Sequence, residues 1–158
     1  CDAWNCSSFS GEWNFSIDDY LAITITDDAV DFSQLSTGDV NDTTDGLPAP
    51  FRFRNDGIIR ANLTNVSSTD LWDVALLGTS YYRFKVNRSA SEPDSFDWAS
   101  SWTSWRNVSV MSSNNTVLGS LNYSDAADEA VVDVAVEVPG GEPAGGKNAV
   151  MTFGWGAS

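Results

Sequence analysis

Ala130-Val131-Val132-Asp133-Val134-Ala135-Val136-Glu137-Val138-Pro139-Gly140-Gly141-Glu142-Pro143-Ala144-Gly145-Gly146 is the stretch that decides the fold. Val132, Val134, Val136 and Val138 alternate with Asp133, Ala135 and Glu137. That period of two predicts a half-buried β-strand. The two prolines and four glycines that follow can continue neither a strand nor a helix, so they predict a turn. Beyond it Ala149, Met151, Phe153 and Trp155 share one face, and Asn148, Val150 and Thr152 the other. Strand, turn and strand make the expected unit a hairpin. A lone hairpin is marginal in water, so other strands are expected over its apolar face.

Those strands can be traced upstream. Trp13, Phe15 and Ile17 alternate with polar residues, as do Leu21, Ile23 and Ile25, and Val30 and Phe32 suggest a short strand. Ser36 to Pro50 reads as a long polar loop. Phe51 and Phe53 alternate with Arg52 and Arg54, and Asn55-Asp56-Gly57 then predicts a tight hairpin turn using a positive φ at glycine. Ile59, Ala61, Leu63 and Val66 form its return strand. Tyr82, Phe84 and Val86 alternate with Arg83 and Lys85. Shorter strands are expected at Val108 to Val110 and Val117 to Leu121. With no convincing helix, this predicts an all-β fold, an Ig-like antiparallel β-sandwich of about eight to ten strands. Residues 1–17 are expected to form an extended arm, and residues 18–158 a single domain.

The charge narrows the partners. There are 22 acidic residues against 8 basic ones, a net charge of −14, and no histidine. A chain this acidic repels nucleic acid and anionic membranes, because no basic patch neutralises phosphates. An acidic surface with only Lys85 and Lys147 as lysines also suits high salt, where screening relieves self-repulsion. The 42% hydrophobic content and seven tryptophans argue against disorder. No apolar run approaches the roughly 18 residues of a membrane span. Without histidine, serine and cysteine triads have no base. Asp18-Asp19 and Asp27-Asp28 are expected by composition alone, so no catalysis is predicted. A chain that opens on Cys1 reads as a processed protein or a fragment. A local Cys1–Cys6 disulfide or a lipidated Cys1 are the two readings of its cysteines.

Compartment follows from a count. Of twelve asparagines, nine stand in Asn-X-Ser/Thr: Asn5, Asn14, Asn41, Asn62, Asn65, Asn87, Asn107, Asn114 and Asn122. Chance would give about two or three. This density predicts a heavily N-glycosylated extracellular or cell-surface protein, with covalent glycans and no cofactor. Asp39, Asn41 and Asp45, with Asp42, are weak candidates for calcium. Their spacing starts like an EF-hand loop but lacks its glycine and its closing glutamate, and no metal is predicted. Trp98, Trp102 and Trp105, near Phe96, have the spacing of one face of a short helix. Exposed, they would stack on surface glycans; buried, they would plug one end of the sandwich.

Three segments carry a resemblance. Val30-Asp31-Phe32-Ser33-Gln34-Leu35-Ser36-Thr37-Gly38-Asp39 is similar to a VxFGxLxPGD opening, departing from it at Ser33 and Thr37. Pro50-Phe51 through Asn55-Asp56-Gly57 is similar to a PFxxxNDGN segment. Val136 to Pro139 with Glu142 to Gly145 is similar to VxVPxxEPAG. Together they resemble small secreted β-sandwich proteins of archaea, akin to surface-filament and pilin-like subunits. The resemblance implies a homopolymer and no catalytic residues. No long apolar helix of the type IV pilin kind occurs in the sequence. The expected assembly is therefore strand donation, with Trp4, Phe9, Trp13, Phe15 and Ile17 as the donor. A monomeric adhesin or carbohydrate-binding module, and an envelope lattice component, are the alternatives.

Overall fold

The computed structural model describes residues 19–109 and 116–158. The expectations for Asn5, Asn14 and Asn114, for Cys1 and Cys6, for the arm 1–17 with Trp4, Phe9, Trp13, Phe15 and Ile17, and for Val110 lie outside the described residues.

Nine strands and no helix occur among the described residues, and the fold is an all-β sandwich of two antiparallel sheets. The strands are β1 (Ile23–Asp27), β2 (Val40–Asp42), β3 (Phe51–Asn55), β4 (Ala61–Ser68), β5 (Tyr82–Arg88), β6 (Arg106–Asn107), β7 (Leu118–Leu121), β8 (Glu129–Glu137) and β9 (Met151–Ala157). The larger sheet runs β1-β3-β8-β5-β6, with β2 also paired to β8, and the smaller runs β7-β4-β9. Alternation places Phe53 of β3, Phe84 and Val86 of β5 and Val132 of β8 in the core, against Leu63 and Val66 of β4. Phe153 meets Phe53 edge-on at 4.7 Å between ring centroids, and Trp155 lies 5.4 Å from Phe53.

Both expected hairpins are absent. β8 belongs to the larger sheet, while β9 pairs with β4 in the smaller one. Residues 138–150 therefore carry the chain from one sheet to the other. The local turn chemistry holds: Glu142 N–H donates to Pro139 O, and Gly141 takes φ 82°. Likewise β3 and β4 lie in different sheets, so Asn55-Asp56-Gly57 is also a crossing. Gly57 is not among the positive-φ residues. It is required for close approach, because a Cβ there would lie 2.5 Å from Tyr20 O and 2.9 Å from Ala22 N. Buried Asn55 fastens the crossing, donating from Nδ2 to Ile59 O and accepting from Gly57 N–H at Oδ1.

Two further expectations fail. Val30 and Phe32 form no strand, and the polar loop conceals β2, whose three residues pair with β8 from Glu137 to Ala135. β8 itself is buried on both faces. Its Asp133 is sealed and fully partnered. Thr43 Oγ1 donates to it at 3.0 Å, Asn87 Nδ2 donates at 2.8 Å, and Lys85 Nζ stands 3.8 Å away. The stems of Arg52, Arg83 and Lys85 on neighbouring strands flank the outward row Val131, Asp133 and Ala135.

Candidate functional site

The two sheets are unequal: among the described residues the larger has six strands and the smaller three. Ile25 faces Phe53 across the β1–β3 ladder, so both share the inner face. Phe53 is sealed by Phe153 and Trp155, yet Ile25 is 44% exposed. Among the described residues β9 pairs only with β4, and β1 only with β3. Among the described residues the β9 edge away from β4 pairs with no strand, and Ile25 stands on the inner face of the other sheet.

At the Met151 end of β9 the gap widens into a groove of about 970 Å³. Its floor is Phe51, Tyr82, Val134, Val136 and Val138. One wall is residues 28–37 and the other residues 142–151. Segments 30–37 and 142–145, with Phe51, Val136 and Val138, thus line one groove. Both walls are anchored. Gly38 N–H donates to Val138 O at 2.9 Å, and Val138 N–H donates to Asp39 O at 3.0 Å. Ser33 adopts φ 56°, held by its N–H donating to Asp31 Oδ1, where the resembling pattern has glycine. Opposite, the Glu142 side chain is 2% exposed and accepts from the N–H groups of Asp73 and Val74, while Lys147 Nζ bridges it to Asp73. Burial raises the Glu142 carboxyl, but Lys147 and the two backbone donors outweigh it and hold it below its ordinary value.

The described sequons spread over both sheets. Asn41 lies on β2, Asn62 and Asn65 on β4, Asn87 on β5, Asn107 on β6, and Asn122 directly after β7. Asn107 is exposed and the other five are half-buried. The amide nitrogens of Asn41, Asn62, Asn65 and Asn122 donate to no acceptor among the described residues. Asn87 Nδ2 is engaged with Asp133, and Asn107 Nδ2 with Gly78 O at 2.7 Å.

The loop acids act locally. Asp39 Oδ2 accepts from Ser36 N–H, Asp42 Oδ1 from Thr44 N–H, and Asp45 Oδ1 from Leu47 N–H, while Asn41 Oδ1 accepts from Asp42 N–H. No group of three acidic or cysteine side chains suited to a metal converges among the described residues.

Trp98, Trp102 and Trp105 form no helix. Each instead carries a cation on its ring. Arg88 lies 4.6 Å from the Trp98 centroid, Arg106 4.4 Å from Trp102, and Lys85 4.5 Å from Trp105. Trp102 is tied in further, since its ring also lies 6.1 Å from Phe84 and its backbone N–H donates to Val117 O. The sequence reading missed this pairing. The signal available was Arg83, Lys85 and Arg88 clustered within one strand of an otherwise acidic chain.

No known protein family's sequence profile matches this chain, and no curated protein matches it in sequence.

Proposed function

We propose that this chain is the structural subunit of an extracellular, N-glycosylated, pilus-like filament, in which the N-terminal segment of one copy fills the strand slot of the next. The exposure of Ile25 on the inner face beside Phe53 is the observation that carries this reading. In this reading the incoming strand covers that isoleucine, beside the β9 edge that pairs with no strand among the described residues. Trp13, Phe15 and Ile17 alternate as such a strand requires. Residues 1–17 can extend up to about 60 Å, enough to reach a neighbouring molecule. Repeated head-to-tail, this contact does not close, so it grows a fibre. The sequon excess supports a glycan-coated surface outside the cell.

The adhesin reading is less well supported, because Trp98, Trp102 and Trp105 pack on three different cations and do not line one helix face. Removing residues 1–17 tests the proposal. The truncated protein is expected to stay folded and monomeric by light scattering, and to bind a synthetic peptide of residues 1–17. Filaments formed without the segment would overturn it.

A further inference from the structure

Trp105-Arg106-Asn107-Val108-Ser109 places a tryptophan two residues before a sequon asparagine. Side chains two apart in extended chain share a face. Asn107 of β6 stands opposite Arg83 of β5 in the ladder, so both side chains lie on the outward face of the larger sheet. The Arg83 guanidinium is 5.8 Å from the Trp105 ring and Lys85 Nζ is 4.5 Å from it, which puts the ring on that same face. The two cations hold the half-exposed indole in one orientation. Asn107 itself is exposed, and only one of its two amide hydrogens is needed for the bond to Gly78 O.

We propose that Asn107 and Trp105 form a glycan seat: a saccharide joined to Asn107 Nδ2 folds back so that the apolar face of its first pyranose rests on Trp105. The joining step is ordinary N-glycosylation. Nδ2 attacks C1 of a lipid-phosphate-linked saccharide, the C1–O bond to phosphate breaks, and the lipid phosphate leaves. Nδ2 loses one proton and keeps the other for Gly78 O. The fixed indole then gains an apolar neighbour at little ordering cost, because Arg83 and Lys85 have already immobilised it. The sugar here stabilises the fold as well as coating it. This rests on the glycosylated part of the reading above and is independent of strand donation.

The experiment uses natively produced, glycosylated full chain in four forms: unchanged, Ser109→Ala, Trp105→Leu and the double variant. Ser109→Ala abolishes the sequon and keeps Asn107, while Trp105→Leu keeps apolar bulk and removes the aromatic face. Glycopeptide mass spectrometry establishes occupancy at Asn107, and thermal unfolding gives the midpoint. Loss of the sugar is expected to lower the midpoint by about 2–4 °C when Trp105 is present, and by much less in the Leu background. An equal drop in both backgrounds overturns the seat. So does a bare Asn107 in material whose other sequons are modified, whereas bare asparagines throughout overturn the glycoprotein reading itself.

Discussion

Ile25 and Phe53 face one another across the β1–β3 ladder, one 44% exposed and the other fully sealed. Directly opposed residues share a face, so their different exposure measures what lies above them. Phe53 has Phe153 and Trp155 of β9 against it, whereas Ile25 stands on β1, which pairs only with β3 among the described residues. Ile25→Asp is therefore expected to leave the unfolding free energy of the isolated domain, from urea titration, within about 1 kcal/mol of the original, as at an exposed site. It should strongly reduce fibre growth, because a buried, unpaired carboxylate would then sit beneath the incoming strand. Unchanged assembly of this variant by light scattering would contradict the slot.

Gly57 sets how closely the segment before β1 approaches the crossing from β3 to β4. Gly57→Ala would place a methyl 2.5 Å from Tyr20 O and force backbone to move. A loss of roughly 1–3 kcal/mol is expected in urea unfolding, the cost of overpacking. Gly140 has nothing within 4 Å of an added Cβ, and Gly140→Ala is expected to be close to neutral.

Ser33 pays a conformational cost at φ 56° that glycine would not. Ser33→Gly is expected to stabilise the chain by about 0.5–1 kcal/mol, read as a higher urea midpoint. A lower midpoint would mean that the Ser33 side chain matters more than its backbone.

How much of this was legible in the sequence differs by element. The alternation of Val132, Val134 and Val136 announced β8 directly, because burial of one face writes itself into every second residue. It could not announce that Asp133 is buried as well, since Thr43 and Asn87 reach it from positions 90 and 46 residues away. The glycines and prolines after Val138 correctly marked a reversal. A turn signal records that the chain bends, but not whether the next strand pairs or crosses to the other sheet, and both expected hairpins failed on that point. β2 was hidden because Val40, Asn41 and Asp42 are too few residues to show a period. The sequons were plain in the sequence. The exposure of Ile25 was not, because it depends on how the sheets sit together and has no local pattern.

The buried Asp133 offers a test of the packing account. Asp133→Ala would leave Lys85, Asn87 and Thr43 without their common acceptor. A loss of roughly 2–4 kcal/mol is expected in urea unfolding. Asp133→Asn, which keeps one acceptor oxygen, should lose less.

Acid stability carries two opposing contributions. At Glu129 burial raises the carboxyl, but hydrogen bonds from Ser89 and Arg52 outweigh it and hold it below its ordinary 4.5. A folded value held low contributes stability that is complete above 4.5 and fades as pH falls through the folded value. Asp128 is raised above 3.8 by burial and then by the charge of Glu92. Its contribution is present below 3.8 and is lost as pH rises through the folded value, leaving a penalty at neutral pH. Glu129→Gln should flatten the acid limb of the urea midpoint below about pH 5, and Asp128→Asn should raise the midpoint at pH 7. A steeper acid limb in the first variant, or a lower neutral midpoint in the second, would reverse these assignments.

Strand exchange between copies is tested most directly by photo-crosslinking fibres grown from equal amounts of ordinary and ¹⁵N-labelled chains, with p-benzoylphenylalanine in place of Phe15. Crosslinks from position 15 into residues 151–157 are expected to join one labelled and one unlabelled peptide in about half the products, the random-mixing value for contacts between molecules. Crosslinked pairs that never mix labels would show each segment folded onto its own β9, and would contradict assembly by strand donation.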